Sequence, residues 1–152
     1  MCTVPTITTS NDITLITLQN CPSDLSFVAN IFQRISGFGV NVDMISLAPT
    51  HGAFTSISFT IADNDLGKIL VFTSDLHDNS NIKTIVSSGN CKISVYDQAM
   101  KNTPGIAAKV FTAAAKIETD IRIITTSEVD ISLLVTAADC DQTLKEIENG
   151  IQ

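Results

Sequence analysis

Two short stretches hold the residues best placed to do chemistry. Ser23-Asp24-Leu25-Ser26-Phe27 and Asn102-Thr103-Pro104-Gly105-Ile106-Ala107 each stand where a strand gives way to an amphipathic helix. The first N–H groups of a helix have no intrahelical acceptor and carry partial positive charge, so such an entrance can receive an anion. Ser26 and Phe27 in one stretch, and Gly105 and Ile106 in the other, occupy the donor positions. Pro104 suits a first helical turn because its missing N–H costs little there, and the same residue reads equally as a plain helix start. Other chemistries find little support. The sequence has no glycine-rich phosphate loop, no GxSxG elbow, no clustered His and Cys, and no carboxylate pair with a supporting motif. No catalytic residue is expected.

Cys2, Cys21, Cys91 and Cys140 are scattered without a CxxC pair, and His51 and His77 fall among turn-type residues. The expectation is reduced structural cysteines, surface histidines, and neither metal site nor cofactor. Hydrophobic residues make up 44% and charged residues 16%, a globular balance. A net charge of −7, with Tyr96 beside seven phenylalanines and no tryptophan, argues against a nucleic-acid partner. No apolar run is long enough to span a bilayer and no leader pattern opens the chain. A cytoplasmic protein without a membrane partner is expected.

The elements that must position the two entrances are legible as a repeat. FQRISGFGVNVDM, from Phe32 to Met44, returns as FTAAAKIETDIRI from Phe111 to Ile123, an offset of 111 − 32 = 79 residues. That length is a folded module and not a solenoid unit. In the first copy, residues 12–18 alternate as a half-buried strand, and Leu25, Val28, Ala29, Ile31, Phe32 and Ile35 recur at helical spacing. The spacing predicts a helix over 25–38, stopped by Gly37 and Gly39, then strands over 40–47 and 54–61, a helix over 66–76 and a short strand over 81–86. The second copy predicts a strand over 92–96 and a helix with Ile106, Ala107, Val110, Phe111 and Ala114 inward. Strands over 121–125 and 129–136 follow, then a helix over 139–148 with Leu144 and Ile147 inward. A fourth strand is missing there, while β-prone residues 2–9 are left over at the front. The second module is therefore expected to comprise 2–9 plus 90–152, with the first, 10–88, inserted in it.

With these elements in place, three segments carry a resemblance. The tandem βαββαβ pattern, Asn41-Val42-Asp43-Met44-Ile45, the stretch PGIAAKVF from Pro104 to Phe111, and TTSE from Thr125 to Glu128 resemble the paired ACT domains at the regulatory end of aspartokinases. The resemblance covers nearly the whole chain, and TTSE with PGIAAKVF is its most specific part. It implies an α+β fold of two ferredoxin-like βαββαβ ACT modules, the first inserted in the second. It also implies function: in that family, ACT pairs bind end-product amino acids such as lysine or threonine and change the activity of a kinase domain that phosphorylates aspartate. An amino-acid-binding regulatory module, without the kinase part, is the expectation. The alternative is a structural dimerisation module with a decayed ligand site, since Ser23-Asp24-Leu25-Ser26 replaces the family's usual Asp-x-Pro-Gly turn.

On this resemblance the ligand-binding residues are Ser23, Asp24, Leu25, Ser26 and Phe27 at the first entrance and Asn102, Gly105, Ile106 and Ala107 at the second. Backbone carbonyls at Val42, Asp43 and Met44, and from Ile121 to Ile123, would face a ligand ammonium. Thr126, Ser127 and Glu128 complete the second site, and Asp43 and Glu128 would complement a cationic side chain, which favours lysine. Asp43 reads otherwise as a solvated strand residue, Glu128 as part of a hairpin turn, and Met44 and Met100 as core filler. A homodimer is expected, because an ACT-like sheet leaves strand edges to cover. An aspartokinase catalytic domain or subunit is the implied partner.

Overall fold

Alternating apolar residues between Ile13 and Leu18 form the inner part of a longer strand than the alternation alone predicts. In the computed structural model, which describes residues 4–151, β1 runs over Thr6–Pro22. The expected strand positions Cys2 and Thr3 lie outside the described residues. After β1 come α1 (Leu25–Gly37), β2 (Ile45–Leu47), β3 (Phe54–Ala62), α2 (Leu66–Asn79) and β4 (Lys83–Tyr96). The remainder is α3 (Ile106–Ala115), β5 (Ile121–Thr126), β6 (Asp130–Thr136) and α4 (Cys140–Gly150), with a short 3-10 turn ahead of each of α2, α3 and α4.

The chain forms two compact units, one of Asp12–Ser88 and the other of the segment up to Asn11 together with that from Gly89 onward. The strand order is β2-β3-β1-β4 in the first and β1-β4-β6-β5 in the second. The β1–β3, β2–β3, β4–β6 and β5–β6 pairs are antiparallel. Each unit is thus a mixed α/β module of the βαββαβ kind.

The first module buries Ile16, Leu18, Ile57 and Phe59 from its sheet against Ile31 and Ile35 of α1 and Ile69 and Phe72 of α2. Fully burying each such side chain is worth about 1.5–3 kcal/mol, so these positions decide which helix faces turn inward. Phe32 meets Phe59 edge-on at 5.7 Å, and Arg34 lies 4.6 Å over the Phe72 ring while pairing with Asp75 at 3.0 Å. In the second module Ile93, Val95, Leu133 and Val135 of the sheet pack on Val110, Ala113 and Ile147.

Three features differ from the sequence expectation. The strands predicted over 81–86 and 92–96 are one strand, β4; Ser87-Ser88-Gly89-Asn90 looks like a turn, yet Gly89, at φ 70°, sits inside the ladder. A glycine supplies the left-handed backbone of a local irregularity without ending the pairing. The strand expected over 40–47 keeps its regular ladder only over Ile45–Leu47. Asp43 N–H donates to the Thr60 carbonyl at 3.1 Å and Thr60 N–H donates to the Met44 carbonyl at 3.0 Å, so two residues face one, as in a bulge. The register of β5 slips between Ile121 and Ile123, leaving Arg122 as the extra residue at the repeat-equivalent place, since 122 − 43 = 79.

The cysteines also differ. Cys91 and Cys140, expected as thiols, form a disulfide between β4 and the start of α4, with Cα atoms 6.1 Å apart. Their separation of 49 residues leaves no local spacing signal, and the packing of α4 against the sheet is what brings them together. Cys21 is a free thiol in the first core, and burial pushes its pKa up to about 11. Among the described residues, no helix is long and apolar enough to cross a membrane.

Candidate functional site

The two helix entrances occupy equivalent places in the repeat and are built differently. At α1, Asp24 is the N-cap, with extended backbone at φ −62° and ψ 124°. Its carboxylate accepts from Ser26 N–H at 3.0 Å, and its carbonyl accepts from Phe27 N–H at 3.0 Å and Val28 N–H at 3.2 Å. The donors expected to hold a ligand carboxylate, Ser26 and Phe27, are therefore engaged by the chain itself. Ser23 is stitched to the loop before β3, its N–H donating to the Ala53 carbonyl at 2.9 Å, and Leu25 is exposed.

At α3 the N-cap is Gly105, in the left-handed region at φ 96°, and no side chain caps the helix. Gly105 corresponds to Ser26, because 105 − 79 = 26. The helix accordingly begins at Ile106, two residues later in the repeat than α1, which begins at Leu25. A cavity of about 280 Å³ opens beside this uncapped end. Met100, Thr103, Pro104, Gly105, Ile106 and Ala107 line one side, and Thr126, Ser127, Glu128 and Ile131 the other.

The β5–β6 loop that carries Thr126, Ser127 and Glu128 is held by its own hydrogen bonds. Ser127 N–H donates to the Asp130 carbonyl at 2.9 Å, and Val129 N–H donates to Ser127 Oγ at 3.3 Å. On the facing side, Asp97 organises the 3-10 turn Gln98–Lys101: its carboxylate accepts from Ala99 N–H at 2.9 Å and its carbonyl from Met100 N–H at 3.1 Å. The turn is fastened to the loop, since Asp97 N–H donates to the Val129 carbonyl at 2.9 Å. Across the mouth, Lys101 Nζ stands 3.4 Å from Glu128 Oε2, both side chains largely exposed.

Of the residues expected at a site, Gly105, Ile106, Ala107, Thr126, Ser127 and Glu128 come together here. Asn102 and Ile121 do not line this cavity. Asn102 closes the 3-10 turn by donating its N–H to the Ala99 carbonyl at 3.2 Å, and Ile121, at the far end of β5, packs against the module's core. In the first module Val42 packs against the core, Met44 is buried, and the Met44 carbonyl, expected to face a ligand ammonium, accepts the Thr60 N–H instead. Sequence reasoning missed Met100 and Ile131 as wall residues and Lys101 altogether.

Residues 93–150, which contain the whole cavity wall, match the family model of the ACT domain. Those residues form an ACT domain. The chain resembles the regulatory region of aspartokinases. It is 29% identical over 139 residues to an aspartokinase of Bacillus sp. (strain MGA3), covering 91% of this chain and 33% of that protein. To an aspartokinase of Geobacillus stearothermophilus it is 30% identical over 125 residues, 82% of this chain and 30% of that one. The chain thus spans about a third of the length of the curated relatives it matches. Among solved structures, the ligand-free regulatory subunit of aspartate kinase from Thermus thermophilus superposes with a TM-score of 0.88 at 23% identity, each chain covered completely. The two chains therefore share one fold over their whole length.

Proposed function

We propose that this ACT chain is an amino-acid-binding regulatory module whose effector sits in the cavity of the second module. One observation carries the reading: α3 begins without a side-chain cap, at a left-handed glycine, directly on a cavity walled by Thr126, Ser127 and Glu128. The effector carboxylate accepts hydrogen bonds from the leading N–H groups of α3, which Gly105, having no Cβ, allows it to approach. The ammonium faces Glu128, and the effector's side chain lies against Met100, Ile106, Ala107 and Ile131. A volume of about 280 Å³ is at the small end for ligand cavities and suits one free amino acid. Lysine and threonine are the first candidates.

The regulated partner in this proposal is an aspartokinase catalytic domain, on the same polypeptide or as a separate subunit. The module also pairs with a second copy of itself. Supporting this, β2 is an edge strand of the first sheet and exposes Ile45 and Leu47, a ladder edge that a second copy can cover. The insertion of one module in the other, with the N-terminal strand belonging to the second, predicts that amides of Thr6 to Asn11 resist hydrogen exchange together with β6.

Thermal unfolding in the presence of each amino acid tests the central claim. A ligand that binds only the folded state adds about 2.7 kcal/mol at 100 times its dissociation constant, a clear rise in Tm. A Tm that stays flat for every amino acid at millimolar concentration rejects the regulatory reading in favour of a structural module.

A further inference from the structure

Among the described residues that line the second module's cavity, Glu128 is the one acid, so it is the natural counter-charge for an ammonium there. That position already faces a cation. Lys101 Nζ lies 3.4 Å from Glu128 Oε2, reaching across from the 3-10 turn that Asp97 caps. Lys101 itself does not line the cavity, and its backbone is fixed by the turn while its side chain is more than half exposed. It can therefore leave Glu128 by rotating into water without moving the wall.

We propose that Lys101 is a specificity-determining residue that competes with the effector: its ε-ammonium holds the place at Glu128 that an effector's ammonium takes, and binding exchanges one cation for the other. This rests on the amino-acid reading of the cavity. An exposed ion pair of this kind shifts an equilibrium by only a few-fold, so the exchange is readily made. Its consequence is selection. A ligand with a carboxylate alone leaves the pair closed and gains nothing from Glu128, whereas a zwitterion replaces Lys101 and satisfies both the helix end and the acid. The internal cation also keeps the empty cavity mouth neutral in a chain whose net charge is −7, which prevents Glu128 from recruiting any passing cation.

The test is a titration calorimetry cycle on the intact chain with lysine and with threonine as probes. Lys101→Met keeps the aliphatic stem and removes the competitor; Glu128→Gln removes the shared acid; the double variant completes the cycle. The expected result is about two- to fivefold tighter binding in Lys101→Met, no such gain when Glu128→Gln is also present, and unchanged binding in Lys101→Arg. Weaker or unaltered binding in Lys101→Met, with the wild-type chain still binding, overturns the competitor role and leaves the cavity reading standing. No binding of either probe to wild type or to Lys101→Met overturns both.

Discussion

At the first helix entrance the carboxylate of Asp24 accepts from Ser26 N–H at 3.0 Å; at the second, Gly105 caps α3 with nothing but backbone. The same repeat at the same offset of 79 residues thus yields one entrance filled from within and one that no side chain caps. The difference traces to two positions. Where the first module has Asp24, the second has Thr103 followed by Pro104, a residue with no N–H to be capped; where the first has Ser26, the second has Gly105, whose left-handed backbone delays the helix. A duplicated module can keep its helices and strands and still leave the helix entrance without a side-chain cap in one copy. An internal acid at the cap is enough to take the place of an external one.

Replacing Gly105 breaks this comparison most directly. An added Cβ at Gly105 meets no atom within 4 Å, so the damage of Gly105→Val is conformational: a β-branched residue held at φ 96°. We expect a stability loss of about 1–3 kcal/mol and effector affinity down more than tenfold, read by urea midpoint and calorimetry. Gly105→Asn, which tolerates the left-handed region better, retains more of the stability. Wild-type affinity in Gly105→Val removes the second entrance from consideration.

The cysteines separate the modules a second way. Burial raises the Cys21 thiol to about 11, whereas the second module's Cys91 and Cys140 are bonded and do not titrate. Below about pH 8.5 the thiol is protonated in both folded and unfolded chains, and its contribution to stability is complete. As pH rises from there towards 11 the unfolded thiol ionises first, so stability falls by about 2–3 kcal/mol, and Cys21→Ala lacks this part of the fall. Denaturant curves at pH 8 and pH 10.5 measure the difference; parallel losses in both proteins contradict it.

A smaller effect is expected at the filled entrance. Asp24→Ala removes the cap of α1 and costs about 1 kcal/mol, with effector affinity and a stoichiometry of one per chain unchanged. A rise to two per chain would sharpen the comparison, by exposing the first entrance as a latent site that Asp24 blocks. The smallest expected change is Glu128→Gln, which weakens lysine and threonine alike by about two- to fivefold, since both present an α-ammonium to it. A loss confined to lysine would place its side-chain ammonium, and not the α-ammonium, at Glu128.

Helix spans were readable because 3.6-residue periodicity is strong in them: α1 begins at Leu25, and Ile147 of α4 is buried, both as the pattern of apolar residues predicts. Strand limits were less so. Local composition around Gly89 is that of a turn, and only the cross-strand ladder makes it part of β4. The bulges at Asp43 and Arg122 lie in stretches whose sequence alternates as a regular strand would, so nothing local announces them. Seven of the ten residues that line the cavity fall in the PGIAAKVF and TTSE segments. Asn102 was misplaced because adjacency to a helix entrance does not decide which way a residue faces, and Lys101 was missed because an exposed lysine has no signature until a turn sets it against Glu128.

The chain leaves the second module after Asn11 and returns to it only at Gly89. During synthesis the N-terminal part of β1, Thr6 to Asn11, must therefore emerge, stand idle while the first module is made, and find its partners in the second module last. At roughly 5–20 residues per second that interval lasts several seconds, long enough for an unpaired strand to meet another nascent chain. The last residues of that waiting part, Thr8-Thr9-Ser10-Asn11, are polar and exposed, which makes them poor templates for such an encounter. Apolar replacements in this run would lower the yield of folded protein while leaving the finished protein's stability almost untouched, because the hazard belongs to the wait and not to the fold.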